Sequence, residues 1–278
     1  MVYTDVRKKR TVVFLLLIAL STVPLGAQSA APASIQVVGS TTIQPLVEEV
    51  TAAYYESSKV AVAVVGGGSG AGLEAVRAGT ADVGMVSRSL TPDERAEFSY
   101  TAIGYDGLAI IVNRENPREH ITTAELREIY AGGMQIWNEA PQWAAQIVVI
   151  SKQAERGTLA VFEEYIGVER PICEDAWEAG SNLDTILWVG GVPGAIGFVS
   201  VGAADQFISI GHPIRKLTLD GVPADRESIE SGSYPITREL ILVYRNDNEA
   251  ARAFVASMTS DSARAAIIAG GYVPSEVR

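Results

Sequence analysis

Three times along this chain an apolar β-type run ends in a turn of small residues, and a helix-period pattern follows at once. SIQVVGS (34–40) leads through Thr41-Thr42 into a pattern carried by Ile43, Leu46, Val47, Val50 and Tyr54. KVAVAVV leads through GGGSGAG (66–72) into a short helix that ends near Ala78. IVVIS (147–151) leads through Arg156-Gly157-Thr158 into a helix marked by Leu159, Phe162, Tyr165 and Ile166. This order restricts the chain to α/β layers with largely parallel sheets. The rest of the sequence fits it. Residues 82–86 and GLAIIVN (107–113) read as strands, as do AIGFVSV, LTL and ELILVYR, with an Asp220-Gly221 turn between the last two. Thr91-Pro92-Asp93-Glu94 reads as an N-cap, an N1 proline and an acidic first turn. Thr122 or Thr123 caps a helix with Leu126, Ile129 and Tyr130, and two helices close the chain.

At 278 residues the chain is long enough for two lobes. Arg7-Lys8-Lys9-Arg10, an apolar run of about 16 residues and GAQSA read as a secretory signal peptide over residues 1–27, with cleavage expected. The apolar run is short for a membrane span and Pro24 breaks it. Export to the periplasm is the expectation. The single cysteine, Cys173, excludes an internal disulfide, so the fold must hold by packing, with Cys173 a small core residue. The formal net charge is −11, and −14 without residues 1–27, which hold four basic residues and one acidic. Such a surface argues against nucleic acid as a partner. It is no bar to a small anion, because a closed site responds to its own donors and salt screens the remainder.

The strand–turn–helix junctions are where chemistry can sit. A helix N-terminus exposes unpaired N–H groups and about half a positive charge. Gly39-Ser40-Thr41-Thr42, Gly68-Ser69-Gly70 and Arg156-Gly157-Thr158 each add hydroxyls or glycine at such a start, and Val86-Ser87-Arg88-Ser89 ends a strand in similar style. Any one of them alone is an ordinary helix cap; four together can converge on one anion. Gly66, Gly68 and Ala71 also satisfy G-x-G-x-x-A. The short helix and the export signal argue against a dinucleotide there, and no G-K-[ST] follows for a Walker loop. Neither His120 nor His212 lies near a serine elbow, and no cluster has metal-ligand spacing, so neither a catalytic role nor a cofactor is expected.

VVGSTTIQPLVEEV, GGGSGAGLEAVRAGTADVGMVSRSL, IGYDGLAIIVNRENP, TTAELREIYAGG followed by IWNE, and GAIGFVSVG together resemble the periplasmic phosphate-binding proteins of bacterial ABC uptake systems. The likeness runs from about Ile35 to the C-terminus. It implies a type II periplasmic binding fold: two α/β lobes joined by crossover strands, with the ligand cleft between them. One lobe is expected to hold 34–109 and 240–278, the other 110–239. The implied function is capture of inorganic phosphate by a monomer that delivers it to an inner-membrane permease. The implied site is Thr41 and Thr42 in the first loop, Ser69 in the glycine loop, Ser87 and Arg88 in the third, and Arg156, Gly157 and Thr158 in the fourth.

The chain departs from the family pattern in two places. Ser87 stands where well-known members carry an aspartate that accepts the proton of hydrogen phosphate. The fourth loop, R-x-x-G-S-G-T in the family, reads Lys152-Gln153-Ala154-Glu155-Arg156-Gly157-Thr158. Lysine is a point charge and not a planar fork. The expectation is that Arg156, with Arg88, neutralises the anion, while Lys152 turns outward or pairs with Glu155. Weaker rejection of sulfate is expected from Ser87; if sulfate is nonetheless excluded, Asp82 or Asp106 becomes the suspected acceptor. Two other functions remain open on the residues: a receptor for another tetrahedral oxyanion such as sulfate, molybdate or tungstate, and an exported phosphate-ester enzyme.

Overall fold

The computed structural model describes residues 34–140, 143–167 and 172–277. The expected leader lies outside them. The chain opens with β1 (Ser34–Gly39), α1 (Gln44–Ser58), β2 (Ala61–Gly66), α2 (Ser69–Arg77), β3 (Val83–Val86) and α3 (Pro92–Glu97). The long β4 (Ser99–Asn113) follows, then β5 (His120–Ile121), α4 (Thr123–Tyr130), β6 (Ile136–Ala140), β7 (Trp143–Gln146), β8 (Val148–Lys152) and α5 (Gly157–Ile166). Next come β9 (Trp177–Ala179), α6 (Asn182–Gly191), β10 (Ala195–Ser200), α7 (Val201–Ser209), β11 (Ile214–Lys216), β12 (Thr218–Leu219) and α8 (Arg226–Glu230). The chain ends with β13 (Thr237–Tyr244), α9 (Glu249–Ser257), α10 (Asp261–Ala269) and β14 (Val273–Pro274). Among the described residues no helix is long and apolar enough to cross a membrane.

The main sheet runs β2-β1-β3-β13-β4-β10-β8-β9, with β11 and β14 added on β4. β1 pairs in parallel with β2 and β3, and β8 with β10 and β9, so the flanks are parallel as expected. The middle is not. β13 is antiparallel to both β3 and β4, and β10 is antiparallel to β4. The cause is crossing: β4 pairs with β13 through Gly107, and from Leu108 onward it pairs with β10 and β11. One strand thus belongs to two half-sheets, which gives two α/β lobes that share β4. β13 bulges between Leu240 and Ile241 where it runs beside it.

Each lobe has its own core. Strand alternation sends Leu240 and Leu242 to the face covered by α1, α9 and α10, and Ile241 and Val243 to the opposite face with Leu73 and Val76 of α2. The other lobe packs Leu108–Val112, Phe162 and Phe198 into a separate cluster, where Phe162 and Phe198 stack at 3.9 Å. Local signals place the helix starts: Thr91 with Glu94 and Thr122 with Glu125 each form a reciprocal capping box. Cys173 is free and half-buried at the edge of the core.

Candidate functional site

Three of the predicted loops come together at the carboxyl ends of β1, β2 and β3, and the fourth arrives from the other lobe. The Gly39 carbonyl accepts from Gly67 N–H (2.7 Å) and Gly68 N–H (2.9 Å), which ties the first loop to the glycine loop. Ser87 N–H donates to Ser69 Oγ at 3.0 Å, and Ser40 Oγ donates to Ser87 Oγ at 2.8 Å. Ser69, Ser87, Thr42 and Thr158 are all buried. The fourth loop closes on this group through the start of α5. A methyl on Gly157 would stand 2.4 Å from Ser69 Oγ and 3.2 Å from the Ser87 carbonyl, so only glycine allows this approach. Gly68, at φ +101°, faces Glu155 O, and Gly70 N–H donates to that carbonyl at 3.3 Å.

At the centre lies a residue that the loop pattern does not reveal. Arg238, on β13, has a fully buried side chain. Its Nη1 donates to Thr158 Oγ1 (2.8 Å) and lies 3.3 Å from Ser87 O and 3.4 Å from Ser87 Oγ. Its Nη2 donates to Thr42 Oγ1 at 3.2 Å. One guanidinium therefore touches the first, third and fourth loops. Asp106, directly opposite Arg238 in the β4–β13 register, accepts from Nε (3.0 Å) and Nη2 (2.7 Å) on Oδ2. Its other oxygen accepts from Ser200 Oγ at 3.1 Å. Burial pushes the Asp106 carboxyl above its ordinary range, against the pull of Arg238, Ser200 and the Gly107 N–H. The Tyr272 hydroxyl, beside Ser200, donates to the Thr42 carbonyl and so holds the first loop from behind.

The remaining predicted residues divide. Thr41 is half-buried, with its methyl against Gly66. Arg156 crosses the glycine loop with Cδ 3.3 Å from where a Gly68 side chain would begin. Its Nε is buried without a hydrogen-bond partner, and Nη2 reaches only Gln153 Oε1 at 3.2 Å. A buried cationic N–H is thus left unmatched beside hydroxyl-lined loops, and such a group costs free energy until it finds an acceptor. Arg88 does not join the group. Both of its terminal nitrogens sit 2.7 Å from Glu94 carboxylate oxygens, because α3 presents Glu94 directly opposite. Lys152 corrects the expectation of an outward turn: it is buried and its Nζ donates to the Ser181 carbonyl and the Thr185 hydroxyl, away from Glu155. Of the two suspected carboxylates, Asp106 is at the site, behind Arg238. Asp82 is at the far end of β3, occupied by Gln36 N–H and Asn248.

The α6 helix, which sequence reading passes over, brings one more group. Asn182 Nδ2 lies 3.4 Å from Thr42 Oγ1 and so bridges the lobes. In the sequence Asp106 stands just before the apolar run 108–112 and Arg238 just before the apolar run 240–243, with Gly107 and Glu239 between; charges so close to core strands need partners.

Residues 26–262 match the family described as the PBP superfamily domain (PBP_like_2). A protein of Streptococcus pneumoniae named phosphate-binding protein PstS 2 is 40% identical over 106 residues, 38% of this chain and 36% of that protein's length, so this match spans about a third of either protein. The phosphate-binding protein PstS of Borreliella burgdorferi is 25% identical across 84% of this chain and 88% of its own. Among solved structures, a putative phosphate ABC transporter substrate-binding protein with bound phosphate from Clostridium perfringens superposes with a TM-score of 0.79. It is 25% identical, and the match covers 87% of this chain and 99% of that one.

Proposed function

Because this chain belongs to the PBP superfamily, we propose that it captures inorganic phosphate outside the cytoplasm and delivers it to an ABC permease. The observation that carries this reading is the convergence of Thr42, Ser69, Ser87 and Thr158 on the buried guanidinium of Arg238. Dehydrating a dianion is costly unless nearly every oxygen finds a donor. Here the donors are preset. The first turns of α2 and α5 supply N–H groups, the loops supply hydroxyls, and Arg238 and Arg156 supply charge. Arg238 takes the part that the resemblance gave to an arginine of the fourth loop.

The lobes are proposed to be 34–109 with 240–278 and 110–239, hinging where β4 and β13 cross. Closure brings Gly157 against Ser69 and Asn182 against Thr42. Residues 1–27 act as a cleaved leader and the mature chain works as a monomer in the periplasm, without nucleic acid. No bond of the ligand is broken, so the protein is a carrier and not an enzyme. Affinity in the micromolar range, about −8 kcal/mol, suits this role.

Ser87 bears on selectivity. Its oxygen accepts from Ser40, and its own proton has Ser69 Oγ at 3.4 Å or a ligand oxygen to donate to. Asp106 is already held by Arg238 and Ser200. The groups facing the ligand are therefore mostly donors, and sulfate is disfavoured less than where a carboxylate faces it. Calorimetry of the anion-free protein against phosphate, sulfate, molybdate and tungstate tests the reading. One phosphate site of about micromolar affinity is expected; tighter binding of another oxyanion, or no phosphate heat, refutes it.

A further inference from the structure

Lys152 ends β8 as the first residue of the fourth loop, and is 2% exposed. Its Nζ donates to the Ser181 carbonyl at 2.7 Å and to the Thr185 hydroxyl, which itself donates to the Ser181 carbonyl at 3.2 Å. Two acceptors match the two N–H bonds of an uncharged amine; an ammonium carries three donors. The charged groups that face Nζ are unequal. Arg156 from the fourth loop and Arg238 from β13 repel a proton there, and Asp184 from α6 attracts one. Asp184 is already engaged, since its Oδ2 accepts from Ser181 Oγ at 2.8 Å. Lys152 also lines a cavity of about 180 Å³ together with Cys173, Glu174 and Glu178.

We propose that Lys152 is a specificity-determining residue of the anion site: it stands uncharged while the site holds no anion, and it binds one proton from solvent as a dianion enters. The inference rests on the phosphate reading given above. Burial, with two guanidiniums nearby, holds its pKa well below the ordinary lysine value. A dianion lodged against Arg156 and Arg238 cancels the repulsion that keeps the proton away. The lone pair on Nζ then takes the proton, and a buffer molecule is left deprotonated. The site's charge rises to match its ligand, so dianions are favoured over monoanions. A fixed arginine at this position has no such adjustment, because its pKa lies too high.

Calorimetry in several buffers of different ionisation heat, at about pH 8.5, reads this directly. Phosphate is then already the dianion in solution, so any proton taken up on binding is taken up by the protein. The wild-type protein is expected to take up close to one proton per phosphate. Lys152→Met and Lys152→Arg are both expected to take up close to none, since one is never charged and the other always is. Lys152→Met is also expected to bind the dianion about tenfold to a hundredfold more weakly. Lys152→Arg keeps the test intact if the methionine variant does not fold. Phosphate binding by the wild type without proton uptake overturns the proposal, as does full uptake in Lys152→Arg. Absence of phosphate heat in every buffer overturns the phosphate reading itself, and this proposal with it.

Discussion

Arg238→Met separates the two roles that the structure gives this residue. Its guanidinium pairs with Asp106 at 2.7 Å, and both side chains are fully buried. Removing the cation alone leaves an unpaired buried carboxylate, at a cost of about 3–5 kcal/mol in stability. The single variant would therefore lose binding for an uninteresting reason if it unfolds. Arg238→Met combined with Asp106→Asn removes both charges and is expected to recover most of that stability. Binding is not recovered. Nη1 and Nη2 donate to the Thr158 and Thr42 hydroxyls, and in the proposed site they exchange these for ligand oxygens. Two charge-assisted hydrogen bonds, at about 1.5–3 kcal/mol each, correspond to a Kd raised by about a hundredfold to ten-thousandfold. Arg238→Lys keeps charge without the fork and falls between. Urea unfolding reports the first effect and phosphate calorimetry the second. A folded double variant that binds phosphate within about threefold of wild type refutes the reasoning.

Four further outcomes follow from the same geometry. Ser87→Asp restores a carboxylate acceptor facing the ligand and is expected to widen the preference for phosphate over sulfate by at least about tenfold, read by competition calorimetry. Gly157→Ala puts a methyl into Ser69 across the lobes; phosphate affinity is expected to fall at least about tenfold while the unfolding midpoint of the anion-free protein barely moves, since opening the lobes relieves the clash. Arg88→Ala is expected to leave affinity within about threefold, because Arg88 serves Glu94. The hydrogen bond from Arg88, with that from the Thr91 N–H, holds the Glu94 carboxyl below its ordinary value. That contribution to stability is complete above the ordinary glutamate range and is lost as pH falls through the lowered value. The melting temperature of the wild type should accordingly fall more steeply with acid than that of Glu94→Gln.

The elements that carry the loops were legible because their signals are local. The apolar periods of β1, α1 and α5, the glycines at 66–72 and the caps at Thr91 and Thr122 lie within a few residues of what they specify. Three things were not legible. β4 begins at Ser99, but Gly104, Asp106 and Gly107 break its apolar alternation, so only its second half reads as strand. α6 ends in Gly190-Gly191, residues that weaken a helix pattern, and with it Asn182 goes unnoticed. Arg238 meets Thr42 across 196 positions and Asp106 across 132, and no local pattern encodes such a meeting. The same limit explains Lys152. Its neighbours in the chain are polar, and its burial comes from the α6 start that folds over it.

Crystals grown with arsenate, a tetrahedral mimic of phosphate that scatters anomalously, test the central claim most directly. A single strong anomalous peak is expected within hydrogen-bonding reach, about 3 Å from its oxygens, of Thr42, Ser69, Thr158 and the Arg238 guanidinium. A peak elsewhere on the protein, with those groups still bonded only to one another, contradicts the account.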